Sequence, residues 1–141
     1  MTALHLCTAD DAPRLLALVA QSDVEAARKR NADAAFGALL DGSPHGAVYL
    51  VGPSVSPVGY VALSFGWSPL QGGLVGRIEE LWIRQGVRGR GMAGEVMQAL
   101  SVALAPHGVA ALAVEALPRS VALFQRAGFR PGPAAVMLRR L

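Results

Sequence analysis

Cysteine is almost missing from this chain of 141 residues. Cys7 is the only one, so an internal disulfide and a cysteine-based metal cluster are both excluded. Lysine is equally scarce: Lys29 stands alone, and the positive charge is carried by arginine, whose planar guanidinium suits oxyanions. Charged residues make up 16% of the chain against 52% hydrophobic ones, a balance that excludes intrinsic disorder. No apolar run reaches the length of a membrane span. The start lacks the basic end, apolar run and cleavage site of a secretory signal. A cytoplasmic protein with one domain over residues 1–141 is therefore expected, with no membrane partner. The formal charge of +3 is modest, and the arginines are scattered apart from Arg28-Lys29-Arg30 and a pair at 88 and 90. That distribution favours an anionic ligand over nucleic acid.

What the chain does have is one organised stretch, residues 77–94. Ile78-Glu79-Glu80-Leu81-Trp82-Ile83 reads as a strand, and a basic, glycine-rich turn follows. A helix then begins near Met92, with Met92, Val96, Leu100, Ala103 and Leu104 on one apolar stripe. Glycines at 89, 91 and 94 let a ligand approach the main chain closely. Unpartnered N–H groups at a helix start carry partial positive charge and make a seat for phosphate. Arg88 and Arg90 add two full charges. The segment is expected to hold a phosphorylated ligand. Two readings stay open. Gly89-Arg90-Gly91-Met92-Ala93-Gly94 fits the dinucleotide pattern G-x-G-x-x-G, with Glu115 about twenty residues on. Against it, five residues separate the strand from the first glycine, and too little chain follows Glu115 for the remaining βαβ units. The second reading is the pyrophosphate loop of an acyl-coenzyme A site.

Taken in order, Ala3–Cys7 is a short strand and Thr8-Ala9-Asp10-Asp11 starts a helix running to about Ala20, with Pro13 in its first turn. Asn31 opens a second short helix carrying Phe36, Leu39 and Leu40. Strands are expected at 46–51 and 58–67, and a hairpin over 68–73 leads into the central strand. After the central helix come a strand at 109–114, a helix at 119–127 stopped by Gly128, and a last strand at Val136-Met137-Leu138. The order β-α-α-β-β-β-α-β-α-β implies an α/β (α+β) fold: a mixed, mainly antiparallel sheet of about six strands with helices on both faces.

Arg88-x-x-Gly91-x-Ala93 resembles the [Q/R]-x-x-G-x-[G/A] signature of the GNAT acetyltransferase superfamily. Glu-Glu-Leu-Trp-Ile resembles that family's fourth strand, and Leu123-Phe124-Gln125-Arg126-Ala127-Gly128-Phe129 its L-[YF]-x-x-x-G-F ending. The element order matches too, so the resemblance spans nearly the whole chain. It implies an N-acetyltransferase in which an amine attacks the thioester of acetyl-CoA directly. The pantetheine arm would lie along Leu81, Trp82 and Ile83, and the pyrophosphate on Arg88, Gly89, Arg90, Gly91, Met92, Ala93 and Gly94, with Phe124 also at the cofactor. The protein's task is to hold two reactants together, remove a proton and polarise a carbonyl.

The resemblance offers Glu79 and Glu80 as the base. Glu79, nine residues before Arg88, is the first choice and Glu80 the second. Strand alternation lets only one of them face the cleft. The bland alternative is that both pair with Arg77 or Arg84 on a solvated face. Many relatives carry a tyrosine acid where this chain has Phe124, and the family's upstream asparagine is replaced by Leu117-Pro118-Arg119. Tyr49, Tyr60 and Ser120 are the other hydroxyls considered. His5, His45 and His107 lack metal spacing, and no metal is expected. An acceptor amine would find carboxylates at Asp23, Glu25, Asp33, Glu79 and Glu80. The resemblance also allows a homodimer. The competing class is a non-catalytic acyl-CoA-binding module, motivated by the missing tyrosine. A nucleic-acid binder using Arg28-Lys29-Arg30 ranks below both.

Overall fold

The computed structural model describes residues 2–22, 31–89 and 91–141. Five strands form one sheet in chain order: β1 (Leu4–Leu6), β2 (Gly46–Val51), β3 (Gly59–Ser68), β4 (Gly73–Ile83) and β5 (Val109–Val114). The pairs β1–β2, β2–β3 and β3–β4 are antiparallel and β4–β5 is parallel. The described helices are α1 (Ala12–Gln21), α2 (Ala32–Gly37), α3 (Met92–Leu104) and α4 (Val121–Arg126). This is a mixed, mainly antiparallel sheet with a helical crossover, α3, joining the parallel pair. Among the described residues no helix is long and apolar enough to cross a membrane.

Alternation along the strands sorts the core into two halves. Val48, Leu50, Tyr60 and Ala62 point to one face, against Leu15, Leu18 and Val19 of α1 and Phe36 of α2. Val51, Val61, Leu63 and Ile78 point to the other, against Val96, Met97, Leu100 and Leu104 of α3 and Phe124 of α4. The expected helices on both faces are present. Val96, Leu100 and Leu104 recur every four residues, so one stripe of α3 is buried along its length.

The expected sixth strand does not form. Val136, Met137 and Leu138 lie in exposed coil at 61%, 92% and 82% exposure. Unlike the equally short β1, which pairs with β2 along its whole length, this run beyond Pro131-Gly132-Pro133 pairs with no strand and buries little surface to offset the entropy of ordering it. The strands therefore number five among the described residues, with β5 at one edge. Arg28-Lys29-Arg30, Asp23, Glu25 and Arg90 lie outside the described residues.

Two irregularities shape β4. The register with β3 passes from Ala62↔Glu80 to Leu63↔Ile78, so Glu79 is an extra residue with no partner opposite it. That is a β-bulge, which bends the strand and re-aims its side chains. The second irregularity is a ladder that stops early. β4 pairs with β5 only from Leu74↔Val109 to Ile78↔Val114. β4 continues to Ile83, whereas the chain after Val114 turns away into a 3₁₀ turn at Pro118–Ser120. The β5-facing edge of β4 has no strand against it over residues 79–83. Close packing holds the other edge in place. A Cβ at Gly59 would stand 2.3 Å from the Trp82 carbonyl oxygen, so only glycine fits there.

Candidate active site

The wedge between the diverging β4 and β5 opens into a cavity of about 870 Å³, within the range of small-molecule sites. β4 supplies Ile78, Glu79, Glu80, Leu81, Trp82 and Ile83 along one wall. The loop to α3 and its first turn supply Arg88, Gly89, Gly91, Met92, Ala93 and Gly94. Glu115, Arg119, Ser120, Phe124 and Arg126 close the far side. The expected catalytic and cofactor-binding residues line this one cavity, except Arg90, which is outside the described residues; Asp33, offered as an acceptor carboxylate, does not line it.

The described residues of the loop leave its main chain open. Gly89 and Gly91 sit at φ +79° and +71°, the left-handed region that side chains rarely adopt, and Gly91 is the N-cap residue of α3. At Gly89, Gly91 and Gly94 nothing lies within 4 Å of where a Cβ would be. Among the described residues no side chain caps α3, and its N-cap and first-turn residues Gly91, Met92, Ala93 and Gly94 line the cavity. Arg88 is anchored at the root of the loop. Its Nε donates to the Ile83 carbonyl at 2.7 Å, and its guanidinium lies over the Trp82 ring, 5.9 Å from the centroid.

The bulge changes what the two glutamates do. Glu79 accepts from the Ser64 hydroxyl at 2.8 Å and Glu80 from the Tyr60 hydroxyl at 2.9 Å. Ser64 and Tyr60 are four residues apart on β3 and so share a face. Both carboxylates therefore stand on the same side of β4, and both line the cavity, in place of the single one that regular alternation would allow. Arg77 does pair with Glu79, loosely, at 3.7 Å, and more closely with Glu115. Glu115 is thus a strand-end partner of Arg77. Arg84 contacts the Pro57 carbonyl instead of either glutamate.

The cavity is electrically divided. Glu79, Glu80 and Glu115 stand where the β4–β5 ladder ends, and Arg88, Arg119 and Arg126 lie toward the loop and α4. Arg119 and Arg126 had no assigned role from the sequence. Arg119 sits in the 3₁₀ turn at Pro118–Ser120 and Arg126 ends α4, so no single helical period joins them and no spacing in the sequence marked them. Tyr60 and Ser120 line the cavity and Tyr49 does not; burial pushes the Tyr49 phenol up. Phe124 is buried and packs edge-on against Phe129 at 5.4 Å. Cys7 sits in the α1-side core, where burial raises its thiol to about 12. Among the described residues no three His, Cys, Asp or Glu side chains converge as metal ligands would.

The model of the acetyltransferase (GNAT) family matches residues 14–129. The chain belongs to that family. As a GNAT domain it also shares its fold with solved structures. An integron cassette protein, HFX_CASS3, from the mobile metagenome of Cole Harbour salt marsh is 28% identical with a TM-score of 0.83, over 98% of this chain and 90% of that one. A ribosomal-protein-alanine N-acetyltransferase from Brucella melitensis biovar Abortus 2308 is 17% identical with a TM-score of 0.76, over 100% of both chains. A predicted acetyltransferase from Clostridium acetobutylicum, solved with acetyl-CoA, is 13% identical with a TM-score of 0.78, over 99% of this chain and 96% of that one. No curated protein matches the chain by sequence.

Proposed function

We propose that this GNAT domain is an N-acetyltransferase that moves an acetyl group from acetyl-CoA to a primary amine, with both substrates bound together. The observation that carries the reading is the open edge of β4 ending at an uncapped, glycine-lined helix start, inside one cavity. An extended arm bearing amides fits the first, and a diphosphate fits the second. In support, the Clostridium acetobutylicum neighbour was solved with acetyl-CoA and the Brucella neighbour is named an N-acetyltransferase.

Acetyl-CoA would supply the activated acyl group. Leu81, Trp82 and Ile83 orient its pantetheine through their main chain. The amides from Gly89 to Gly94, with Arg88, hold the diphosphate. Glu79 and Glu80 attract the acceptor's ammonium and remove a proton from it, which is the protein's main chemical contribution beside positioning. Arg119 and Arg126 add positive charge on the phosphate side.

Isothermal titration with acetyl-CoA tests binding, and an acceptor screen reading coenzyme A release tests turnover. Arg88→Ala or Gly91→Asp is expected to weaken acetyl-CoA binding at least about tenfold, through loss of a charge-assisted contact or intrusion of a carboxylate. Unchanged affinity in both variants would remove the loop from the site. A second reading, an acyl-CoA-binding module without turnover, is favoured by one observation: Phe124 presents a ring without a hydroxyl to the cavity. Tight binding with no coenzyme A release on any amine would establish it.

A further inference from the structure

Two neighbouring carboxylates line the cavity, and their surroundings differ. Glu79 is the bulge residue itself. Its side chain is 46% exposed, is held by the Ser64 hydroxyl at 2.8 Å and has Arg77 Nε at 3.7 Å. A carboxylate so placed is solvated and shares its charge with a cation. Glu80 is less exposed and stays in register, opposite Ala62. Its Oε1 accepts from Tyr60, which is 0% exposed. Tyr60 cannot swing away. Its ring is packed edge-on against Phe36 at 5.9 Å and tilted against Trp82 at 6.3 Å. A phenol clamped on both sides fixes the plane and position of the carboxylate it touches. A base must meet its proton within hydrogen-bond reach, so geometric control of this kind decides efficiency.

We infer that Glu80 and not Glu79 takes the proton from the acceptor's ammonium, with Tyr60 as the positioning residue that holds the Glu80 carboxylate at the cleft. This rests on the acetyl-transfer reading above. The nitrogen loses two protons overall. One passes to Glu80 and on to water, and the other ends on the departing sulfur. The C–N bond forms and the C–S bond breaks. Glu79 serves to attract the cationic acceptor. The choice reverses the order suggested by resemblance alone, because the bulge moves Glu79 out of register.

The test uses wild type and the variants Glu80→Gln, Glu79→Gln and Tyr60→Phe, each checked by thermal melting. It measures acetyl-CoA affinity, steady-state kinetics with the best acceptor of the screen, and the pH profile of kcat/KM. Among the described residues the other ionisable groups around the cavity are Tyr60, Glu79, Glu115, Arg88, Arg119 and Arg126; the arginines stay charged throughout the range assayed. Glu80→Gln is expected to lose about a hundredfold or more in kcat and to lose the acid limb of the profile. Tyr60→Phe is expected to lose about tenfold in kcat with KM for acetyl-CoA unchanged. Its acid limb moves to higher pH, because a hydrogen bond favouring the charged carboxylate is gone. Glu79→Gln is expected to raise KM for the acceptor more than it lowers kcat. If Tyr60→Phe does not fold, 3-fluorotyrosine in a Tyr49→Phe background replaces it. That stronger donor at position 60 should move the acid limb to lower pH. An abolished kcat in Glu79→Gln with Glu80→Gln active overturns the proposal and leaves acetyl transfer standing. A Tyr60→Phe enzyme that is slow with an unmoved acid limb reduces Tyr60 to a packing role and also overturns it. A wild type that binds no acetyl-CoA removes both readings.

Discussion

Asp11 is a carboxylate at 4% exposure with donors on every side. The Thr8 main-chain N–H donates at 2.9 Å, the Thr8 hydroxyl at 3.3 Å, His5 Nε2 lies at 3.0 Å, and Arg14 forms an ion pair. The Thr8 N–H foremost, with His5 and Arg14, holds its pKa down to about 2, against an ordinary 3.8. The sign follows directly. The folded state binds this proton less readily than the unfolded chain, so the stabilisation is complete above about pH 4 and is lost as pH falls toward 2. Urea midpoints measured at pH 7, 4 and 2.5 are expected to fall across the last interval. Asp11→Ala should lower stability by about 2 kcal/mol at pH 7 and flatten that interval. The sequence made Asp11 legible as helix-start chemistry, but its link to His5 was not, since no spacing rule joins a strand histidine to a cap.

At the scale of elements, most of the fold could be read from periodicity and punctuation. Gly46–Val51, Met92–Leu104 and Val109–Val114 stand at the bounds expected, because glycine or proline marks their ends and their apolar periods are unambiguous. The bulge in β4 was not legible. A register shift is a property of two strands, and the sequence of one strand shows only alternation. That is why the cleft holds both Glu79 and Glu80 where alternation gave one. Deleting Glu79 restores a regular ladder without disturbing Ala62↔Glu80 or Leu63↔Ile78. The variant is expected to stay folded, with a midpoint within about 5 °C of wild type, the effect of about 1 kcal/mol in a domain of this size. It should bind acetyl-CoA at least about tenfold more weakly, as β4 loses the bend that parts it from β5. Calorimetry and titration on the same sample check both halves. Unaltered affinity would mean the bulge does not shape the site.

Over the whole molecule, the two-sided core and the cavity between β4 and β5 follow from one sheet with helices on both faces, and the family's order of elements was visible throughout. What failed was the far edge. Val136-Met137-Leu138 has strand propensity, yet it lies exposed while β5 keeps an unpaired side among the described residues. Propensity alone does not supply a partner. The inner side of the same region has a different consequence. β4 is zipped to β3 from Gly73 to Ile83 save at the bulge residue Glu79, and to β5 only from Leu74 to Ile78. Over residues 79–83 the edge of β4 that faces the gap has no strand against it, whereas the other edge is paired with β3. Deuterium uptake there should therefore be two-speed in the apoprotein, and saturating acetyl-CoA should slow the fast class by about tenfold or more while leaving β1 and β2 untouched. On the proposed reading acetyl-CoA is a removable stave, and the sheet is a barrel-maker's joint left one board short.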